Sequence, residues 1–386
     1  MKIFQCQACD QPVSFESTVC ESCERRLGYV CDRHEISALE PSGEDERGPL
    51  FRAYAHPGRK YRLCANAAHD ACNWMVGEES EEAFCVACRH NRMVPDLGVG
   101  TNLDRWRRIE AAKHRLFYSL LRLDLPLVTR EQYSDGLAFD FLAESAGPPV
   151  MTGHLDGLIT LSIAEADDVE RERRRKLFGE YYRTLLGHFR HEIGHYFWNL
   201  MVRFDASLPT FRALFGDESA DYGAALRRHH AKGPPLHWEE SFVSSYATAH
   251  PWEDFAETFA HYLHIIDTLE TASAFEIRLK PKLRAKAEPA APATCIDFDP
   301  YETPDFERVV EAWIPLTYAV NSLSRSMGQP PLYPFTLTPS VIAKLAFVHE
   351  RIYAARAPGG FTEEASAEML KAVIAGLRQR VATPTN

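Results

Sequence analysis

No uninterrupted apolar stretch in this 386-residue sequence approaches the roughly 18 residues that a membrane-spanning helix needs. Its first ten residues, MKIFQCQACD, also lack the apolar segment of a secretory signal. Both absences point to a cytoplasmic chain with no membrane partner. Positive charge is in short supply too: 43 Lys and Arg face 54 Asp and Glu, a formal net charge of −11. A surface built to grip nucleic-acid phosphates needs the opposite sign. With 45% hydrophobic and 25% charged residues, the composition excludes a disordered or collagen-like chain. The length accommodates two or three domains, each with its own core. Beyond residue 88 only one cysteine remains, Cys295, so the greater part of the chain is no thiolate or disulfide scaffold.

The other nine cysteines fall within residues 6–88. Cys6-x2-Cys9 and Cys20-x2-Cys23 set two thiolates on each of two tight turns, which suits the tetrahedral four-sulfur shell of structural zinc. Disulfides would need an exported chain, and nothing here points to export. A looser second set, Cys64-x7-Cys72 and Cys85-x2-Cys88, again supplies four sulfurs, with His69 as a stand-in for one of them. Cys31 and Cys295 are left over as small core residues or idle thiols. Residues 1–98 therefore read as a zinc-ribbon region of two four-cysteine modules holding two structural Zn2+ ions. Ribbons often bind nucleic acid, but this region carries 11 Lys and Arg against 16 Asp and Glu. A structural role, or recognition of a protein partner, fits that negative sign better.

From residue 99 the texture changes. Apolar spacing predicts a helix over 104–123 and short strands at Leu137–Leu142 and Leu158–Ile163, with Gly-Pro-Pro between the strands. It predicts helices again over 167–204, with a break at Gly179, and over 251–268. Residues 206–250 read as short helical pieces around the turn Gly233-Pro234-Pro235, and 279–297 as a flexible loop rich in Ala, Pro and Lys. Three more helical stretches, 304–325, 338–356 and 362–381, close the chain, and Thr338-Pro339 is a fitting N-cap for the second. Arg171–Lys176 is strongly basic, but Glu170 and Glu172 make it a solvated helix face. His154 and His188 read as structural histidines.

The sharpest chemical signal is His191-Glu192-Ile193-Gly194-His195. On a helix, positions i and i+4 share a face, so both histidines can bind one ion while Glu192 lies beside it as a general base. The helix is apolar at Leu185, Leu186, Phe189, Ile193, Phe197 and Leu200, which argues for burial over a solvated His-rich surface. A catalytic zinc usually keeps three protein ligands. Trp198 and Met201 stand where the metzincin pattern requires Gly and His, so that class is excluded. Downstream, Glu253 and Glu257 are i and i+4 on the helix of 251–268. One can bind metal while the other orients a ligand histidine, and spacing does not say which. His250, His261 and His264 compete for the third place.

Ser245-Tyr246 followed by Glu253-x-Phe255-Ala256-Glu257 is similar to the catalytic segment of the anthrax lethal factor group of zincins. That resemblance implies Glu253 as third ligand, Glu257 as its support and Tyr246 as a donor to the oxyanion or leaving group. More broadly, the chain resembles bacterial zinc-binding metallopeptidases that carry an N-terminal zinc-ribbon region. The segments that carry this likeness include Tyr61–Asn66, Gly187–Tyr196, His250–Glu257 and Ser326–Pro330. The expected architecture is α+β: a mainly helical zincin-type domain with a small β-sheet, over 99–386, behind the two ribbon modules. In zincins the strand before the metal helix edges the cleft, which gives Leu158–Ile163 a place beside an extended peptide. The expected function is a zinc-dependent peptidase acting on a peptide or protein substrate, with one catalytic Zn2+ held by His191, His195 and Glu253. The alternative is a non-catalytic, protein-binding module whose zinc is only structural.

Overall fold

The computed structural model describes residues 1–144, 150, 152–171, 184–280, 294–356 and 371. Contacts divide these residues into two units: Ile3–Glu192 with Lys371, and Ile193–Arg356 together with Met1–Lys2. The division falls inside one continuous helix.

The Ile3–Glu192 unit begins with a hairpin of β1 (Phe4–Gln5) and β2 (Pro12–Val13). An antiparallel sheet in the order β3-β4-β5-β6-β7 follows, formed by Leu27–Val30, Glu35–Asp45, Gly48–Ala53, His56–Leu63 and Met75–Gly77. Val30, Leu39, Ala53, Tyr61 and Met75 pack as its core. Phe15 makes edge contacts with Tyr29, Trp74 and Tyr118, and Tyr118 lies on helix α1 (Asn102–Arg122). Such a ring cluster supplies burial that small metal-bound modules otherwise lack. The second sheet has the order β10-β11-β9-β8, from Gly153–Leu155, Leu158–Ser162, Ala138–Leu142 and Asn91–Met93. Phe139 and Phe141 of β9 take Phe189 of helix α2 (Leu185–Met201) edge-on.

Leu158–Ser162 is therefore an interior strand, paired on both sides, and not the cleft-edge strand open to a peptide that the likeness to zincins implied. β10 pairs with it antiparallel through Gly153↔Thr160, His154↔Ile159 and Leu155↔Leu158, while β9 runs parallel on its other side. The tight Asp156-Gly157 turn, with both residues at positive φ, folds β10 back onto β11.

The Ile193–Arg356 unit is helical: the rest of α2, then α3 (Leu208–Phe215), α4 (Tyr222–Lys232), α5 (Pro251–Ala274), α6 (Phe306–Ser326) and α7 (Pro339–Ala354). Helix α5 is the central element, buried along Phe255, Phe259, Tyr262, Leu263 and Ile266 at helical spacing. Phe211 and Phe215 of α3 pack on Phe255 and on Phe347 of α7. Lys344 of α7 reaches the buried Asp254 of α5 at 2.6 Å. Gly194 of α2 faces Ala256 of α5 so closely that a Cβ there would lie 2.9 Å from the Ala256 Cα. The two helices that carry the motif residues thus touch at backbone distance.

Helix α5 runs six residues beyond the predicted end, and Thr338 caps α7 as expected by accepting from the Val341 N–H. The predicted loop of 279–297 is paired at its ends: Arg278–Leu279 and Thr294–Cys295 form an antiparallel ladder. The interior of that loop, the break at Gly179, the Gly-Pro-Pro segment and most of the basic run lie outside the described residues. So does all of the predicted helix 362–381 except residue 371. Arg171, at the start of the basic run, pairs with Asp168 and donates to the Glu165 carbonyl. The whole is α+β. Among the described residues no helix is long and apolar enough to cross a membrane.

Candidate metal centres

The first cysteine cluster is built from two turns of the same design. The Asp10 N–H donates to the Cys6 carbonyl at 2.8 Å, and the Cys6 N–H to the Gln11 carbonyl at 2.9 Å. The second turn repeats this with Glu24 to Cys20 at 2.8 Å and Cys20 to Arg25 at 2.9 Å. In each, the residue after the second cysteine takes a left-handed conformation, Asp10 with φ 61° and Glu24 with φ 59°. The turns bring Cys6 Sγ within 3.7 Å of Cys23 Sγ, and Cys9 Sγ within 3.5 Å of Cys20 Sγ. Tetrahedral zinc with Zn–S bonds of about 2.3 Å separates its sulfurs by about 3.7 Å. The donor set and its spacing fit zinc.

Cys64, Cys72, Cys85 and Cys88 form the second cluster, all four buried. Burial pushes Cys6 up to about 12 and Cys72 and Cys85 well above the usual thiol range, whereas the Arg25 backbone N–H lowers Cys23 to about 6 and, against burial, the neighbouring cysteines lower Cys88; a bound cation would hold all of them as thiolates. His69 is not the stand-in that its position in sequence suggested. It is exposed, with its ring against Trp106, because the turn after Cys64 directs it outward. The histidine at this cluster is His114 of α1, whose Nε2 lies 3.3 Å from Cys72 Sγ and 3.5 Å from Cys88 Sγ. No spacing pattern marks it, since it lies 26 residues past the last cysteine of the set. Cys295 is exposed and so is no core residue.

The third centre lies on α2 and α5. His191, His195 and Glu253 each offer a ligand atom, all within 4.8 Å of one another, and all three residues are buried. His195 Nε2 is 3.4 Å from Glu253 Oε2. Two imidazoles and a carboxylate are the donor set of a catalytic zinc, and a tetrahedral ion with bonds of about 2.0–2.1 Å requires ligand atoms at about this separation. The residues fit. Of the two glutamates left open by spacing, Glu253 is the one beside the histidines. Glu257, one turn on, accepts a hydrogen bond from Ser244 Oγ.

Glu192 is buried, and His188 one turn before it places Nε2 3.3 Å from Glu192 Oε1. The other ring nitrogen, Nδ1, lies 3.0 Å from Glu165 Oε2. Burial alone would lower the His188 pKa, but the two carboxylates outweigh it and raise it to about 9. His188 thus bridges Glu165 and Glu192, one carboxylate at each ring nitrogen. The competing histidines are engaged elsewhere. His250 caps α5 through Nδ1, accepting from the Trp252 N–H, and its Nε2 donates to the Ala220 carbonyl. His261 pairs with the Tyr333 hydroxyl at 2.8 Å, and His264 stacks on the Tyr333 ring. His154 accepts from the Gly157 N–H in the β10–β11 turn.

Tyr246 is half-buried in the 3-10 turn before α5, its ring edge-on to His229 of α4 at 5.9 Å. Helix α4 contributes a second tyrosine that sequence reasoning missed: the Tyr222 hydroxyl donates to Glu253 Oε1 at 2.5 Å. Nothing in the spacing marks Tyr222, which stands 31 residues before its partner.

Two four-sulfur clusters and a buried His–His–carboxylate group are the donor sets of a zinc-binding protein with ribbon modules. Comparison with known families agrees. A family described as "Putative zinc-binding metallo-peptidase" matches residues 102–351, and a zinc-ribbon domain family matches residues 3–99. The chain belongs to that metallopeptidase family. Proteins of Mycobacterium tuberculosis and Mycobacterium bovis, both described as uncharacterized, are 41% identical to it over 352 residues. The match covers 90% of this chain and 94% of each relative. No solved structure gives a significant match.

Proposed function

We propose that the chain is a zinc-dependent peptidase, with His191, His195 and Glu253 as ligands and Glu192 as general base. The observation that carries this is the convergence of the three buried ligand atoms, on a helix whose next residue after His191 is the buried Glu192. A purely structural zinc has no use for the glutamate of the His-Glu-x-x-His motif. When bound, zinc supplies Lewis-acid polarisation of a carbonyl and lowers the pKa of water. Glu192 takes the proton of the attacking water and returns it to the leaving amine. His188, 3.3 Å from Glu192 Oε1, orients that carboxylate. Tyr246 donates to the developing oxyanion, and Glu257 steadies the α5 side of the site through Ser244.

The division of labour along the chain is a ribbon region, 1–98, holding two structural ions, and a metallopeptidase domain, 99–386, holding one exchangeable ion. The acidic ribbons favour a protein or peptide partner over nucleic acid, and the setting is cytoplasmic. A peptide library incubated with purified protein tests the reading. Cleavage should disappear when a chelator strips the exchangeable ion and return when zinc is restored. Cleavage that survives removal of that ion would refute it.

A further inference from the structure

All four cysteines of the second cluster are buried, and part of their surroundings comes from beyond the ribbon. Four thiolates and one zinc ion leave a formal charge of −2, here in a buried setting where every sulfur lone pair needs a donor. Backbone N–H groups supply part of the need: Trp74 donates to Cys72 Sγ at 3.3 Å, and Cys85 donates to Cys64 Sγ at 3.4 Å. Cys88 is served differently. His114 Nε2 stands 3.5 Å from it and 3.3 Å from Cys72, close enough to donate one N–H shared between the two sulfurs. The imidazole is 4% exposed and rests against the Trp74 ring at 5.1 Å.

Beside His114, the side chains of Glu110 and Lys113 form an ion pair at 3.0 Å with both members fully buried. Glu110 Oε2 lies 3.6 Å from Cys88 Sγ, so Lys113 brings positive charge to a carboxylate that would otherwise repel the thiolate. Lys113 also reaches Asn91 Oδ1. Cys88, Glu110 and His114 form a group that satisfies the spacing for an ion of its own. The cation facing Glu110, however, is the Lys113 ammonium, 3.0 Å from each carboxylate oxygen.

We propose that His114 and Lys113 of α1 are the outer shell of the second structural zinc, His114 by hydrogen-bonding Cys72 and Cys88 and Lys113 by neutralising Glu110. Glu110, Lys113 and His114 all lie within the stretch that matches the metallopeptidase family, whereas the four cysteines lie within the ribbon match. The second ribbon ion is thereby completed by the first helix of the metallopeptidase region. Outer partners of this kind are worth about 10–100-fold in metal affinity.

The test uses the full-length zinc-loaded protein, alkylated with iodoacetamide in the presence of a zinc chelator and read cysteine by cysteine by mass spectrometry. His114→Phe should speed labelling of Cys72 and Cys88 about tenfold or more, with no change at Cys6, Cys9, Cys20 and Cys23. His114→Gln, which keeps an N–H donor, should stay within about twofold of the wild type. If His114→Phe does not accumulate as folded protein, Lys113→Met should accelerate the same two cysteines. Unchanged labelling, equal acceleration at both clusters, or a His114→Gln protein as labile as His114→Phe would overturn the assignment. So would a stoichiometric loss of one ion in His114→Gln, which would make His114 a ligand.

Discussion

Gly194→Ala probes the contact on which the third centre depends. Glycine in a helix interior ordinarily costs about 1 kcal/mol relative to alanine, so on propensity alone the substitution should stabilise α2. The packing opposes it. An added Cβ would lie 2.9 Å from Ala256 Cα, 3.1 Å from Ala256 O and 3.2 Å from Phe259 Cβ. Carbon atoms are comfortable at about 3.5–4.0 Å, so α2 and α5 must part locally by about 0.6 Å or more. All three obstacles are backbone or Cβ atoms of a helix and cannot swing aside. Overpacking of this kind costs about 1–3 kcal/mol, which outweighs the gain in propensity and leaves a net loss of about 1 kcal/mol. For a unit of this size that corresponds to a fall in Tm of about 2–4 °C.

The larger effect falls on zinc. His195 follows Gly194 directly, and Glu253 lies one turn before Ala256, so the same separation opens the 3.4 Å gap between His195 and Glu253. A metal site tolerates about 0.2 Å of error in its ligand distances. Chelator competition should therefore show zinc affinity reduced at least tenfold at the exchangeable site, alongside the lower Tm in thermal denaturation. A Gly194→Ala protein with an equal or higher Tm and unchanged zinc affinity would refute the claimed close approach of the two helices.

Glu253→Ala should lose the exchangeable zinc more completely than Glu257→Ala in metal analysis, and the reverse order would exchange their roles. Tyr222→Phe removes the hydroxyl that holds Glu253 Oε1, so zinc should dissociate about tenfold faster while the two four-sulfur clusters keep their ions. His349 makes stability pH-dependent in the acid range. Its Nε2–H donates to the Pro304 carbonyl, its Nδ1 accepts from the Tyr262 hydroxyl, and burial lowers its pKa. Because the folded state then resists a proton that the unfolded chain accepts below about pH 6.5, stability should fall as pH drops from there, by at most about 1.4 kcal/mol per unit. Denaturant titrations of wild type and His349→Gln between pH 7.5 and 5.5 should diverge in slope, and parallel slopes would remove His349 as the cause.

Local spacing made much of this molecule legible. The two helices of the third centre announce themselves through apolar positions at 3–4 spacing and through paired polar residues one turn apart, both set by helix geometry alone. The CxxC turns are equally local, each closing within six residues. Tertiary proximity was not legible. His114 reaches Cys72 across 42 residues and Tyr222 reaches Glu253 across 31, and neither carries a mark in the sequence. His69 misled for the converse reason: it stands three residues before Cys72 in the chain yet points away from the sulfurs. The likeness to zincins puts Leu158–Ile163 at the cleft edge, but β10, too short at three residues to show a pattern of its own, covers it. The five-stranded sheet also escaped notice, since Gly and Pro interrupt its strands at Gly28, Pro41, Gly43, Pro49 and Gly58.

The proposed function rests on proton transfer by Glu192 at a zinc ion held by His191, His195 and Glu253. Peptide-library cleavage by zinc-loaded wild type and zinc-loaded Glu192→Gln, compared at equal metal content, tests it most directly. Both proteins should hold the same number of ions, and only the wild type should cleave. Equal cleavage by Glu192→Gln, with its zinc in place, would contradict it.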